Sequence, residues 1–313
     1  MKNQISVLLA SVLVVVALSG CIGQEAGRGA ATGVIIKSFG PDMSEVFSSD
    51  PVTFTLSVEN VGGEDATDVE AKLFGLGTDW TGDDWVNIGS RTKYIGFLER
   101  SQPEYKAPGG FGDAQWDVEA PVGLKVDNTY SAGVRLYYGY STTALANIKI
   151  YSNDYLRSNP EEAEKIMKSS GIESFTVTDA PITIELAGLA RPLIYRGSGQ
   201  TASITALLSN MGQGKPYDDE ENDMEVTVTG FKVNNVNCVE DAADIYRLPR
   251  AGKKSVPCRF NIPSVDSYTT IPVEITLSYN YFIDDTSSIK VLKSIDIGIT
   301  PTTTSPGPTP VLP

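Results

Sequence analysis

Three carboxylates, Asp79, Asp83 and Asp84, stand around Trp80 and Trp85. Trp116 follows, so all three tryptophans fall in the loop-rich region from Gly75 to Pro121. Aromatic faces beside carboxylates hold carbohydrate, and two carboxylates at a fixed separation cleave a glycosidic bond. Nothing in the spacing fixes such a separation. Trp80, Trp85, Trp116, Asp83 and Asp84 are therefore candidate ligand-binding residues, and no catalytic pair is assigned. Tyr94, Phe97, Tyr105 and Phe111 lie in the same region. The competing reading has these aromatics covering the open end of a β-sandwich and burying area against their own loop.

A second oxygen-rich run, Asp218-Asp219-Glu220-Glu221-Asn222-Asp223, packs five carboxylates and an amide oxygen into six residues. Calcium takes about six to eight oxygen ligands, which makes Asp218, Asp219, Glu221 and Asp223 candidate calcium ligands and calcium the one cofactor considered. The run lacks the alternating spacing that wraps an ion. Its alternative reading is a charged hairpin loop. The chain contains no histidine, which removes Ser-His-Asp and Cys-His catalysis and the commonest transition-metal ligand. What remains for an enzyme is a histidine-free carboxylate hydrolase, and the expectation is a non-enzymatic protein.

The charged start Met1-Lys2, the apolar stretch Ile5 to Leu18 and the small residues before Cys21 make a secretory signal over residues 1–20. An uncleaved signal anchor is the alternative, and either outcome puts the bulk of the chain outside. Residues 21–33 are Gly- and Ala-rich and read as a flexible tether. Without residues 1–20 the chain has 24 basic and 39 acidic residues, a net charge of −15. Such a surface repels nucleic acid and anionic headgroups, so neither is expected as a partner.

In an oxidising exterior Cys238 and Cys258 are expected to pair, closing a loop of about twenty residues worth about 3 kcal/mol. Arg247, Arg250, Lys253, Lys254 and Arg259 in and beside that loop are either a dock for an acidic partner or a solvated loop.

Strands are needed to position all of this, and the chain repeats them. Val52-Thr-Phe54-Thr-Leu56-Ser-Val58-Glu-Asn60-Val-Gly62 has the same alternation and register as Ala202-Ser-Ile204-Thr-Ala206-Leu-Leu208-Ser-Asn210-Met-Gly212. Period-two alternation is a strand with one buried face, and the glycine is read as supplying positive φ at the reversal. Later, Val134-Arg-Leu136-Tyr-Tyr138-Gly-Tyr140 matches Ile275-Thr-Leu277-Ser-Tyr279-Asn-Tyr281. Each is followed by a Ser/Thr segment read as a turn, then by Asn147-Ile-Lys-Ile150 or Ser288-Ile-Lys-Val291.

The expected fold class is all-β, two tandem immunoglobulin-like β-sandwiches with one short surface helix. The sandwiches span 34–180 and 181–299, joined at Asp179-Ala180-Pro181. The helix lies near 160–170, with Asn159 as N-cap and Pro160 at its first position. Residues 300–313 form a Thr/Pro-rich extended tail.

Leu18-Ser-Gly-Cys21 resembles the lipobox of bacterial and archaeal lipoproteins, which implies lipidation at Cys21 and a membrane partner through that anchor. The repeated halves resemble immunoglobulin-like domains of prokaryotic, archaeal-type surface proteins, particularly the CARDB-like group. The resemblance implies a lipid-anchored protein on the extracellular face of the membrane, with an envelope protein or glycan as partner. The functional expectation is surface interaction or envelope structure. The alternative is a glycan- or solute-binding lipoprotein using the aromatic loop.

Overall fold

A computed structural model describes residues 32–87, 89–217, 225–238, 244–248 and 252–294. Cys21, residues 22–31 of the tether, the candidate calcium run and the Thr/Pro-rich tail lie outside the described residues. The fold is all-β, built mainly of antiparallel strand pairs, with two short α-helices among the described residues.

The described chain divides into two compact units. Sandwich I comprises residues 34–61, 65–139 and 281–294, and sandwich II comprises 62–64 and 140–280. This partition differs from 34–180 and 181–299. Asp179 and Pro181 lie inside sandwich II, where the Gly63 N–H donates to the Asp179 carbonyl at 2.8 Å and the Met211 N–H to the Pro181 carbonyl at 2.9 Å.

One sheet of sandwich I is β1 (Val34–Pro41), β3 (Pro51–Asn60) and β6 (Phe111–Glu119), with β3 central. The other contains β2 (Glu45–Phe47), β4 (Ala66–Phe74), β5 (Thr92–Leu98) and parts of two very long strands, β7 (Asn128–Ser152) and β17 (Tyr268–Leu292). Alternation on β3 buries Val52, Phe54, Leu56 and Val58, and β7 buries Val134 and Leu136. Each such side chain contributes about 1.5–3 kcal/mol by leaving water.

Sandwich II has a three-stranded sheet of β9 (Ile182–Ala187), β11 (Thr201–Asn210) and β16 (Lys254–Asn261). Its second sheet holds β13 (Glu225–Val233), paired with β14 (Val236–Asn237) and β15 (Asp244–Arg247), beside the first half of β17, then the second half of β7; β12 (Lys215–Tyr217) also pairs with β17. That half of β7 is flanked by β8 (Ile172–Val177) and β10 (Leu193–Tyr195). The Cys238–Cys258 disulfide ties the end of the β13 hairpin to β16, with its Cα atoms 5.2 Å apart.

The Ser/Thr segments read as turns are not turns. β7 and β17 each run unbroken for 25 residues. Alternation simply continues: Thr142 is fully buried, and its hydroxyl donates to the Ile182 carbonyl at 2.8 Å with the Tyr279 hydroxyl 2.9 Å away. A polar side chain so satisfied is tolerated inside a strand, and neither Ser141–Thr143 nor Thr286–Ser288 contains a glycine or proline. Ser174 to Val177 pairs with Ala144 to Asn147 within sandwich II.

The Asn-x-Gly glycines also act differently from the expectation, since neither Gly62 nor Gly212 adopts positive φ. Gly62 is required by space. A Cβ there would lie 2.0 Å from the Tyr140 hydroxyl and 2.6 Å from the Thr32 carbonyl oxygen. Gly62→Ala is therefore expected to lower the stability of sandwich II by about 1–3 kcal/mol, read from the urea midpoint.

The expected helix is present as α2 (Pro160–Lys168), with Ile166 buried and a Glu164–Lys168 ion pair of 2.5 Å. Asn159 does not cap it; its side-chain amide donates to the Tyr155 carbonyl. A further helix, α1 (Asn153–Ser158), precedes it, capped by the Ser152 hydroxyl.

Candidate functional site

The structure brings the tryptophan region together as interior. Trp80, Trp85 and Trp116 are 2%, 5% and 0% exposed. Trp80 packs edge-on against Phe54 and Tyr130, and the Arg91 guanidinium covers the Trp85 ring 3.7 Å from its centroid. The Trp116 indole N–H donates to the Arg91 carbonyl at 2.8 Å, and that of Trp85 to the Gly77 carbonyl at 3.1 Å. No tryptophan face is open to a sugar, which corrects the reading of Trp80, Trp85 and Trp116 as a ligand platform. Burial of their large apolar area in sandwich I outweighs any surface role.

The neighbouring carboxylates serve the same packing. Asp84 pairs with Lys93 at 2.6 Å and accepts the Asp117 N–H at 3.0 Å. Asp79 accepts the Tyr130 hydroxyl at 2.9 Å, while Asp83 is exposed. Asp117, bonded by Gln115 and Thr53, titrates below the ordinary carboxylate value. Among the described residues no cluster of His, Cys, Asp or Glu has the make-up of a metal site.

The basic residues around the disulfide are largely engaged within sandwich II. Arg247 pairs with Glu225 at 3.0 Å, Lys253 with Glu185, and Lys254 lies over the Tyr246 ring. Arg250 lies outside the described residues.

What sandwich I presents to solvent is a different set of aromatics. Tyr94 and Phe97 on β5 are 68% and 56% exposed, and Phe111 at the start of β6 is 58% exposed. Gly96, at φ +103°, sits in an irregular stretch of the β4–β5 ladder, so the side chains of Tyr94 and Phe97 both remain outside. The Gly110 N–H donates to the Glu99 carbonyl at 2.9 Å, which sets the start of β6 beside the end of β5. The strand ends that carry Phe97 and Phe111 are thus neighbours. The adjoining outer face of β1, β3 and β6 carries a shallow polar groove lined by Ser38, Thr55, Ser57, Asp113 and Gln115.

Sandwich II carries a tyrosine cluster built from β7, α1 and β17. Tyr151 lies 4.7 Å from Tyr268 and 6.2 Å from Tyr155, centroid to centroid. The Tyr268 hydroxyl donates to Glu173 at 3.0 Å and that of Tyr155 to Glu162 at 2.9 Å. Desolvation, then the bond to Glu173, pushes the Tyr268 phenol up to about 12. An unfolded tyrosine titrates near pH ~10. The native contribution of Tyr268 is therefore complete below about pH 10 and fades as pH rises toward 12. A titration of phenolate absorbance is expected to show one late step near pH ~12, absent in Tyr268→Phe.

No protein-family model and no curated protein matches the chain. Among solved structures, the collagen adhesin of S. aureus aligns over 86% of this chain and 96% of its own length at 8% identity. The TM-score is 0.11, too low to carry an argument about fold or function.

Proposed function

We propose that this chain is a lipid-anchored protein of the extracellular membrane face that acts by binding an envelope protein, not by chemistry. It is read as a prokaryotic, archaeal-type surface lipoprotein with CARDB-like domains. The leader with Leu18-Ser-Gly-Cys21 supports the anchor, and a disulfide between Cys238 and Cys258 suits an oxidising exterior. The absence of histidine and the structural use of Asp79 and Asp84 support the non-enzymatic reading.

The observation that carries the binding role is the exposure of Tyr94 and Phe97 on β5 and of Phe111 on β6, because aromatic side chains are enriched at contact surfaces. A photo-crosslinking residue at Phe97 on intact cells is expected to capture one envelope protein, with no capture from Lys232. Tyr94→Ser/Phe97→Ser/Phe111→Ser should abolish a partner's binding in vitro without shifting the melting temperature. Recovery of the chain from the cytoplasm, with Cys21 unacylated, would overturn the proposal.

A further inference from the structure

The surface of sandwich II carries part of an arrangement that sandwich I completes. In sandwich I the Arg135 guanidinium lies over the Phe282 ring, 4.1 Å from its centroid, and makes two bonds to Asp284, at 2.7 and 2.9 Å. Ring, carboxylate and guanidinium all come from the chain itself. In sandwich II the rings and carboxylates are present without the cation. The Ser152 N–H donates to the Ser267 carbonyl at 2.8 Å, which sets Tyr268, at the start of β17, beside Tyr151 at the end of β7. The Ser152 hydroxyl then caps α1, so Tyr155 follows within one turn and meets Tyr151 as well. Glu173, the residue left over where the β7–β8 register shifts, and Glu162, in the first turn of α2, each accept one tyrosine hydroxyl.

Both carboxylates are exposed, and Tyr268 is 41% exposed. Among the described residues neither carboxylate is paired with a cation, and the Tyr151 hydroxyl has no hydrogen-bond partner. Lys149, two residues before Tyr151 on the same face of β7, forms no ion pair with either carboxylate. Desolvation, then the charges of Glu162 and Glu173, push the Tyr151 phenol up, so both carboxylates act on one ring.

We infer that Tyr151, Tyr155, Tyr268, Glu162 and Glu173 form a guanidinium-binding site that takes an exposed arginine side chain of a protein partner. The π face of a tyrosine attracts a cation, and each carboxylate keeps one oxygen free for a charge-assisted hydrogen bond. Arginine suits the site better than lysine because its flat guanidinium stacks on a ring while its fork of N–H groups reaches a carboxylate, as Arg135 does on Phe282 and Asp284. A neutral sugar would meet the same rings and leave both charges uncompensated. The acidic balance of the whole chain, 39 Asp and Glu against 25 Lys and Arg, draws cationic partners toward it. The inference concerns sandwich II alone and does not rest on the exposed aromatics of sandwich I or on the anchor.

The test titrates the full chain with four probes: blocked Gly-Arg-Gly, blocked Gly-Lys-Gly, blocked Gly-citrulline-Gly, whose side chain has the guanidinium's shape without its charge, and maltose. Tyrosine side-chain NMR signals report binding, with those of Tyr151 and Tyr268 assigned from Tyr151→Phe and Tyr268→Phe. The arginine peptide is expected to shift both signals saturably with a Kd of order mM. The lysine peptide should bind about threefold more weakly and the citrulline peptide at least about tenfold more weakly. Glu162→Gln/Glu173→Gln keeps an acceptor for each tyrosine hydroxyl and removes both charges, so it should weaken arginine binding about tenfold without shifting the melting temperature. Glu161→Gln/Glu164→Gln, an equal change of net charge at exposed positions of α2, should alter it by less than about twofold. Equal response to the arginine and citrulline peptides, tighter binding of the lysine peptide or of maltose, or equal loss in the two double variants overturns the inference. So does an arginine peptide that moves neither signal.

Discussion

Ending the chain after Asn280 is expected to unfold sandwich I although every residue from 34 to 139 is still present. The truncation removes no part of sandwich II, whose residues are 62–64 and 140–280. From sandwich I it takes the strand between β2 and β7, with Tyr281, Ile289 and Val291, each at 0% exposure. It also strands Arg135, whose guanidinium makes two bonds to Asp284, at 2.7 and 2.9 Å, and stacks on Phe282. Loss of single large core side chains costs about 2–5 kcal/mol, and three such losses together with a central ladder exceed the about 5–15 kcal/mol that holds a domain. Hydrogen exchange should show protection lost throughout residues 34–139 and retained in β9, β11 and β16. A tandem arrangement closing at residue 180 predicts the reverse, with sandwich I intact and only the second sandwich damaged. Melting of the truncated chain therefore separates the two partitions without ambiguity.

That contrast shows what the sequence carries and where it stops. The alternation on β3 and β11 is legible because each strand has one buried face, and the buried set Val52, Phe54, Leu56, Val58 matches the pattern residue for residue. The match between Val134–Tyr140 and Ile275–Tyr281 also marks a real equivalence. In the structure Tyr138 contacts Tyr281 and Tyr140 contacts Tyr279, at 5.7 and 6.4 Å.

What misleads is Ser141-Thr142-Thr143, whose hydroxyls suggest a turn. Thr142 is buried because two partners distant in sequence, Ile182 and Tyr279, satisfy it. No local rule supplies those partners. The period-two pattern through Ala144, Ala146, Ile148 and Ile150 held the signal that the strand continues. The helix α1 was legible too, since Ser152 followed by Asp154 is an N-cap with an acid in the first turn. The exposed aromatics were only half legible: the rings of Tyr94 and Phe97 could be counted, but which side of the sheet they take depends on the irregular ladder around Gly96.

Trp116→Ala is expected to destabilise sandwich I by about 3–5 kcal/mol, the range for deleting a fully buried large aromatic side chain. Two losses add. The indole leaves a cavity against β3, where Trp116 is the Cα partner of Phe54. The Arg91 carbonyl loses the 2.8 Å bond from the indole and keeps only the Leu73 N–H at 3.0 Å, so the chain before β5 is held less firmly. Trp116→Phe keeps most of the area and gives up the hydrogen bond, so it should fall about 1–2 kcal/mol below the parent. The pair of variants separates packing from binding. If Trp116 were a sugar platform, both substitutions would leave the urea midpoint unchanged and weaken a glycan's affinity. A core residue lowers the midpoint in the order Ala, then Phe, whatever ligand is present. Because the tryptophans are spent on stability, any contact this protein makes through aromatic side chains of sandwich I falls to exposed rings such as Tyr94, Phe97, Tyr105 and Phe111, which the same denaturation experiment should find nearly neutral.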